Sequence, residues 1–142
     1  MTTELSPVAV VSSTASDAHT WNLVYLHLLL EELGFTVENL GACTPDDLVV
    51  AECVRLNPDL VVISSVNGHG YQDGLRLAPL LRAEPELART PLVIGGKLGI
   101  DDARGLGWET RLLTAGFDRV FGDGGIGEFC RYLSLVAVRQ VS

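Results

Sequence analysis

The chain has 142 residues, 47% of them hydrophobic and 20% charged, with a formal net charge of −8. That length suits one domain with its own core, so residues 1–142 are expected to form a single domain. The acidic balance excludes nucleic acid as a partner of the chain alone, since phosphate would be repelled.

The segment Met1 to Ser6 is polar and includes Glu4, so no signal peptide is expected. No uncharged apolar run approaches the ~18 residues that span a bilayer. A soluble cytoplasmic protein without membrane contact is the expectation. Cys43, Cys53 and Cys130 form no C-x-x-C pair and lie in apolar or helical stretches, so they are expected to be buried thiols in a reducing compartment.

The first predicted strand is Pro7–Ser12, and its exit loop reads Ser16-Asp17-Ala18-His19-Thr20. An aspartate two residues before a histidine can accept a hydrogen bond from one imidazole nitrogen and leave the other basic. That is how a metal-ligating histidine is prepared, which makes Asp17 and His19 a candidate site. The first helix, Thr20–Leu33, carries Trp21, Leu23, Val24, Tyr25, Leu26, Leu28, Leu29 and Leu30 on nearly all its faces. A helix apolar all round is buried on more than one side. The sheet covers one side; a cofactor, a partner subunit or a crowded core covers the other. His27 inside this helix reads as structural.

Gly34 closes the helix as a C′ residue before the second strand, Phe35–Leu40. Thr44, Pro45 and Asp47 read as N-cap, first helical residue and early acid of the helix Pro45–Leu56. Asp59 leads into the third strand, Leu60–Ser64, whose exit loop runs Ser64-Ser65-Val66-Asn67-Gly68-His69-Gly70. A helix follows over Asp73–Arg82, and Pro91 leads into the fourth strand, Leu92–Ile94. Gly95 and Gly96 then suit a turn or a backbone passing close to a bulky ligand. The helix Ala103–Thr114 ends before Gly116 as its C′ residue; the last strand is Arg119–Phe121 and the last helix Ile126–Arg139. Residues 122–127 match G-x-G-x-x-G literally. They follow the last strand and lack a ribose-binding acid ~20 residues on, so they read as a glycine-rich turn capping the last helix.

Strict alternation of strand and helix gives a parallel sheet covered on both faces. Five strands suggest the flavodoxin-like order 2-1-3-4-5, which makes strands 1 and 3 neighbours at a topological switch where ligands bind. Both informative loops, Ser16 to Thr20 and Ser64 to Gly70, leave those two strands. A phosphorylated receiver domain shares the fold but needs acids at the end of strand 1 and an aspartate at the end of strand 3. Here those ends read Ser12-Ser13 and Ser64-Ser65, while the pairs Asp46-Asp47 and Asp101-Asp102 lie elsewhere, so that reading is rejected.

These motifs resemble the cobalamin (vitamin B12)-binding domains with an Asp-x-His-x-x-Gly, Ser-x-Leu and Gly-Gly signature, and among them the small subunits of glutamate (methylaspartate) mutase. Ser16-Asp17-Ala18-His19 resembles the axial-ligand loop, and Ser64 to Gly70 the Ser-Ser-Leu-Tyr-Gly loop. Val93-Ile94-Gly95-Gly96 resembles the glycine-pair strand, and Gly116 to Val120 the segment leading into the last strand. Asn22 stands where the signature has glycine, adding a side chain in the first helical turn; Val66 stands where it has leucine.

The resemblance implies a cofactor-binding set of Ser16, Asp17, Ala18, His19, Thr20, Ser64, Ser65, Val66, Gly95, Gly96, Lys97 and Leu98, with no catalytic residue. His19 would replace the dimethylbenzimidazole base as lower ligand of cobalt, and Asp17 would hold its ring. The displaced nucleotide tail would enter a slot between sheet and first helix. Ser64 would hydrogen-bond the buried base, and Val66, Gly95 and Gly96 would line the slot. The implied activity is an adenosylcobalamin-dependent isomerase that interconverts glutamate and 3-methylaspartate. This chain would be one subunit, and a large barrel subunit would bear the substrate site, in an assembly of two small and two large subunits. The alternative is a non-catalytic corrinoid carrier or sensor serving a methyltransferase or regulator. Such proteins add a helical cap in front, and only six residues precede the first strand here, so no cap is expected. A third reading is a flavodoxin-like interaction domain that has lost cobalamin.

Overall fold

Runs rich in valine, leucine and isoleucine form the strands of the computed structural model, which describes residues 7–15, 21–65, 70–96, 105–121 and 126–141. The strands are β1 (Val8–Ser13), β2 (Thr36–Gly41), β3 (Leu60–Ser65), β4 (Leu92–Gly96) and β5 (Arg119–Phe121). They form one sheet in the order β2-β1-β3-β4-β5, and every neighbouring pair is parallel. The helices are α1 (Trp21–Glu32), α2 (Asp46–Leu56), α3 (Gly70–Arg82), α4 (Gly105–Ala115) and α5 (Ile126–Val141). No helix among the described residues is long and apolar enough to cross a membrane.

The order and the two-sided helical cover are those expected from the alternation of elements. On one face Val10, Val61, Ile63 and Ile94 pack against α2, α3 and α4 through Val49, Cys53, Leu77, Leu81 and Leu112. On the other face Ala9, Val11, Val62 and Val93 pack against Leu23, Leu26 and Leu30 of α1 and Phe129, Leu133 and Val136 of α5. The central strands β1 and β3 are buried on both faces, which is why they read as unbroken apolar runs.

The amino-terminal ends of the strands are locked by side chains. Asp59 Oδ2 accepts the Val8 N–H at 2.8 Å, and Asp118 Oδ2 accepts the Leu92 N–H at 2.8 Å. Each aspartate precedes its own strand and completes the ladder of the strand beside it. Arg82, at the end of α3, donates to the carbonyls of Gly116, Leu87 and Thr90 and to Asp118, each at 2.8 Å. One guanidinium thus joins α3, the short 3-10 turn Pro85–Leu87 and the turn before β5.

Several local expectations are corrected. Gly95 and Gly96 do not follow β4 but end it, because Ser64 and Ser65 of β3 remain in register with them. Thr44 does not cap α2. Its hydroxyl donates to the Gly41 carbonyl at 2.8 Å, and Pro45 occupies the cap position with no side-chain bond. Among the cysteines only Cys53 is fully buried; Cys130 is half-buried, and Cys43 is exposed in a positive-φ conformation after β2. Of the three covers expected for the outer side of helix α1, a crowded core is not found: Val24, Tyr25 and Leu28 are 44%, 49% and 57% exposed. His27 is half-buried, within 3.2 Å of Glu31 and 3.5 Å of Asn39.

Candidate functional site

The carboxyl ends of the strands differ in composition from their middles. Ser13 of β1 pairs in register with Ser64 of β3, Ser64 with Gly95 of β4, and Gly95 with Phe121 of β5. Two residues earlier the same side of the sheet carries Val11, Val62 and Val93, which face α1 and α5. Side chains alternate along a strand, so Ser13, Ser64 and Gly95 point to that same side. The apolar row of three valines is therefore followed by two hydroxymethyl groups and a hydrogen. That step lowers the sheet surface under α1 at the point where β1 and β3 diverge to opposite connections. Open α/β sheets bind ligands at such a switch point.

Gly95 has a second reason to be glycine. A Cβ there would lie 3.2 Å from the Phe121 carbonyl oxygen and 3.4 Å from Phe121 Cβ. The missing side chain both lets β5 approach and keeps the floor low.

The floor is polar as well as shallow. Its Ser13 and Ser64 are buried; Ser12 and Ser65 are buried too, but by alternation they face the opposite side of the sheet. Ser12 Oγ donates to the Ser13 carbonyl at 2.9 Å, and Ser13 Oγ reaches the Gly41 carbonyl at 3.2 Å and the Thr14 carbonyl at 3.3 Å. Among the described residues, Thr14 Oγ1 is the buried side-chain polar atom that has no hydrogen-bond partner. Small side chains and buried hydroxyls fit a narrow ligand bearing hydrogen-bonding groups, as the nucleotide tail of a corrinoid is.

Among the described residues, the carboxyl ends of the strands hold no carboxylate. Asp46 and Asp73 lie instead at the starts of α2 and α3, where both bind the Arg76 guanidinium. Hydrogen bonding to Asp46, above all, pushes Arg76 further up in pKa.

Of the residues expected at the site, the structure brings together Ser64, Ser65, Gly95 and Gly96. Ser16, Asp17, Ala18, His19, Thr20, Val66, Lys97 and Leu98 lie outside the described residues, as do Asn67, Gly68 and His69. The sequence reading missed Ser13, which lies in register with Ser64. The available signal was the change from Val10-Val11 to Ser12-Ser13-Thr14 at the end of an otherwise apolar strand.

Comparison with known proteins agrees with this geometry. The chain is 36% identical over 115 residues to the glutamate mutase sigma subunit of Halobacterium salinarum, covering 81% of this chain and 76% of that one. It is 32% identical over 115 residues to the glutamate mutase sigma subunit of Fusobacterium nucleatum, covering 81% and 84%. The fold superposes on a cobalamin-binding protein from Desulfitobacterium hafniense with a TM-score of 0.74 at 18% identity, covering 92% of this chain and 59% of that one. The B12 binding domain signature matches residues 7–126, a span that holds all the strands and the serine–glycine floor, and on this ground the chain belongs to the B12-binding domain family.

Proposed function

We propose that this chain is the cobalamin-carrying small subunit of an adenosylcobalamin-dependent carbon-skeleton mutase, the reaction being the interconversion of glutamate and 3-methylaspartate. The observation that carries the reading is the floor of Ser13, Ser64 and Gly95 at the switch point, in a chain 36% identical to a glutamate mutase sigma subunit. In this reading His19 is the lower ligand of cobalt and Asp17 fixes its tautomer and ring orientation. Ser64 bonds the base of the displaced tail. Val66, Gly95 and Gly96 line its slot, and Ser16, Ala18, Thr20, Ser65, Lys97 and Leu98 complete the contact surface.

Adenosylcobalamin, when bound, supplies a carbon-centred radical by homolysis of its cobalt–carbon bond, and that chemistry is the cofactor's own. The chain's part is to bind and orient. In this reading the substrate-binding groups belong on a separate large subunit built as a (β/α)₈ barrel. An assembly of two small and two large subunits in the cytoplasm follows from the same reading. The contact edge is the Asn67 to Gly70 loop with Lys97 and Leu98.

The test has a spectroscopic arm and a turnover arm. Cobalamin added to the protein is expected to change its absorption spectrum, and ¹⁵N-imidazole labelling is expected to add coupling to the Co(II) EPR signal. Both effects are lost in His19→Ala; their survival would overturn the ligand assignment. With adenosylcobalamin and a cognate large subunit the protein is expected to convert glutamate to 3-methylaspartate, and alone to convert none. Methyl transfer with methylcobalamin, and no reaction with glutamate, would make the chain a corrinoid carrier instead.

A further inference from the structure

We infer that Ser13 is a specificity-determining residue of the cobalamin site: it acts through the room it leaves, and that room selects corrinoids that carry a nucleotide tail. The inference rests on the cobalamin-binding reading and adds to it a residue outside the family signature. The pairing of β1 with β3 is regular through Ser13, with Val11 opposite Val62, Ser12 opposite Ile63 and Ser13 opposite Ser64. Val11 and Val62 belong to the cluster under α1 and α5, while Ile63 packs on the other face. Alternation therefore sets Ser13 beside Ser64 on the α1 side. The irregularity in this region lies on the other flank of β1, where its partners on β2 step from Asn39 to Gly41 and pass over Leu40. There the Gly41 carbonyl accepts from Ser13 Oγ at 3.2 Å and from Thr44 Oγ1 at 2.8 Å. The Ser13 hydroxyl is thus drawn toward β2, on the opposite side of β1 from Ser64. What Ser13 offers the slot is a missing side-chain branch. Valine fills the row below at positions 11, 62 and 93, and it suits a buried strand better than serine does. Serine at position 13 gives up apolar packing in the free protein, and a bound tail restores it.

The experiment compares wild type, Ser13→Val and Ser13→Ala by titration with cobalamin and with cobinamide, the corrinoid that lacks the nucleotide tail. Ser13→Val puts a branched side chain into the room for the tail and is expected to bind cobalamin about 10-fold more weakly or worse. Ser13→Ala keeps the room, and the Gly41 carbonyl keeps its bond from Thr44, so this variant is expected to bind cobalamin like wild type. Cobinamide affinity is expected to be equal in all three proteins. The ligand-free Ser13→Val protein is expected to melt no lower than wild type, because the valine extends the apolar row into unfilled space. A lower melting temperature would mean that α1 already fills that space, and would overturn the inference. Equal cobalamin affinity in wild type and Ser13→Val would also overturn it. So would an equal loss in Ser13→Ala, which would make the hydroxyl and not the room decisive, or a loss that extends equally to cobinamide. If wild type binds no cobalamin, the functional reading falls and this inference with it; binding by wild type that ignores Ser13→Val removes this inference alone.

Discussion

Cys53 and Cys43 have the same side chain and opposite chemistry. Burial in the α2 face, and then the neighbouring Glu52 charge, push the Cys53 thiol up to about 12 from an ordinary 9.0. The neutral thiol is thus favoured by the fold. Its contribution to stability is fully present below pH 9.0 and is lost as pH rises from there toward about 12. Urea unfolding midpoints are expected to fall across that window, and less steeply in Cys53→Ala. Iodoacetamide is expected to label exposed Cys43 in the native protein and Cys53 only after unfolding. The sequence put all three cysteines together as buried thiols because Cys43 follows an apolar strand. Its exposure depends on the positive-φ turn at φ 52°, which a cysteine does not announce. Ser13 was overlooked for a related reason. Short polar residues after valines read as the start of a loop, and only register with Ser64 makes Ser13 part of a floor.

Strand order was legible because strand–helix alternation admits few topologies, and β-branched runs separated it cleanly into five pairs of elements. Element ends were less so. Helix α3 begins at Gly70, three residues ahead of the expected Asp73, because glycine is read as loop wherever its helical role depends on packing. Gly74 inside the same helix is such a case. A Cβ there would lie 2.8 Å from Ile94 Cδ1 and 3.2 Å from both Leu112 Cδ2 and Phe117 Cε2. Those three side chains are buried in one cluster and have little room to turn away. Alanine favours helices over glycine by about 1 kcal/mol, but overpacking costs about 1–3 kcal/mol. Gly74→Ala is accordingly expected to destabilise the protein, by roughly 1–2 kcal/mol net in urea melts. A gain in stability would show that α3 can shift outward from β4.

The molecule is divided between two poles. At the amino-terminal ends of the strands, Asp59, Asp118 and Arg82 tie neighbouring elements together. At the carboxyl ends, serines and glycines leave a low polar floor. Stability and binding are therefore expected to separate by position. Arg82→Lys cannot reproduce the forked contacts to Gly116, Leu87, Thr90 and Asp118, and is expected to lose about 1–3 kcal/mol while leaving cobalamin affinity unchanged. Ser64→Ala is expected to do the reverse. The double variant is expected to show additive effects, as distant sites do, within about 0.5 kcal/mol. Strong coupling between them would mean that the poles communicate through the sheet.

The floor of Ser13, Ser64 and Gly95 is a layer of hydrophobic core that the chain withholds from itself. A row of three valines sits directly below it, and a further apolar row would have filled the space without changing the topology. Whatever occupies the slot supplies the burial that those residues omit, so the folding equilibrium shifts with the concentration of that occupant. In a cell, proteases act on the unfolded fraction. The lifetime of this protein would then track the supply of its ligand: scarcity would shorten it, and abundance would preserve a pool of carriers ready for loading.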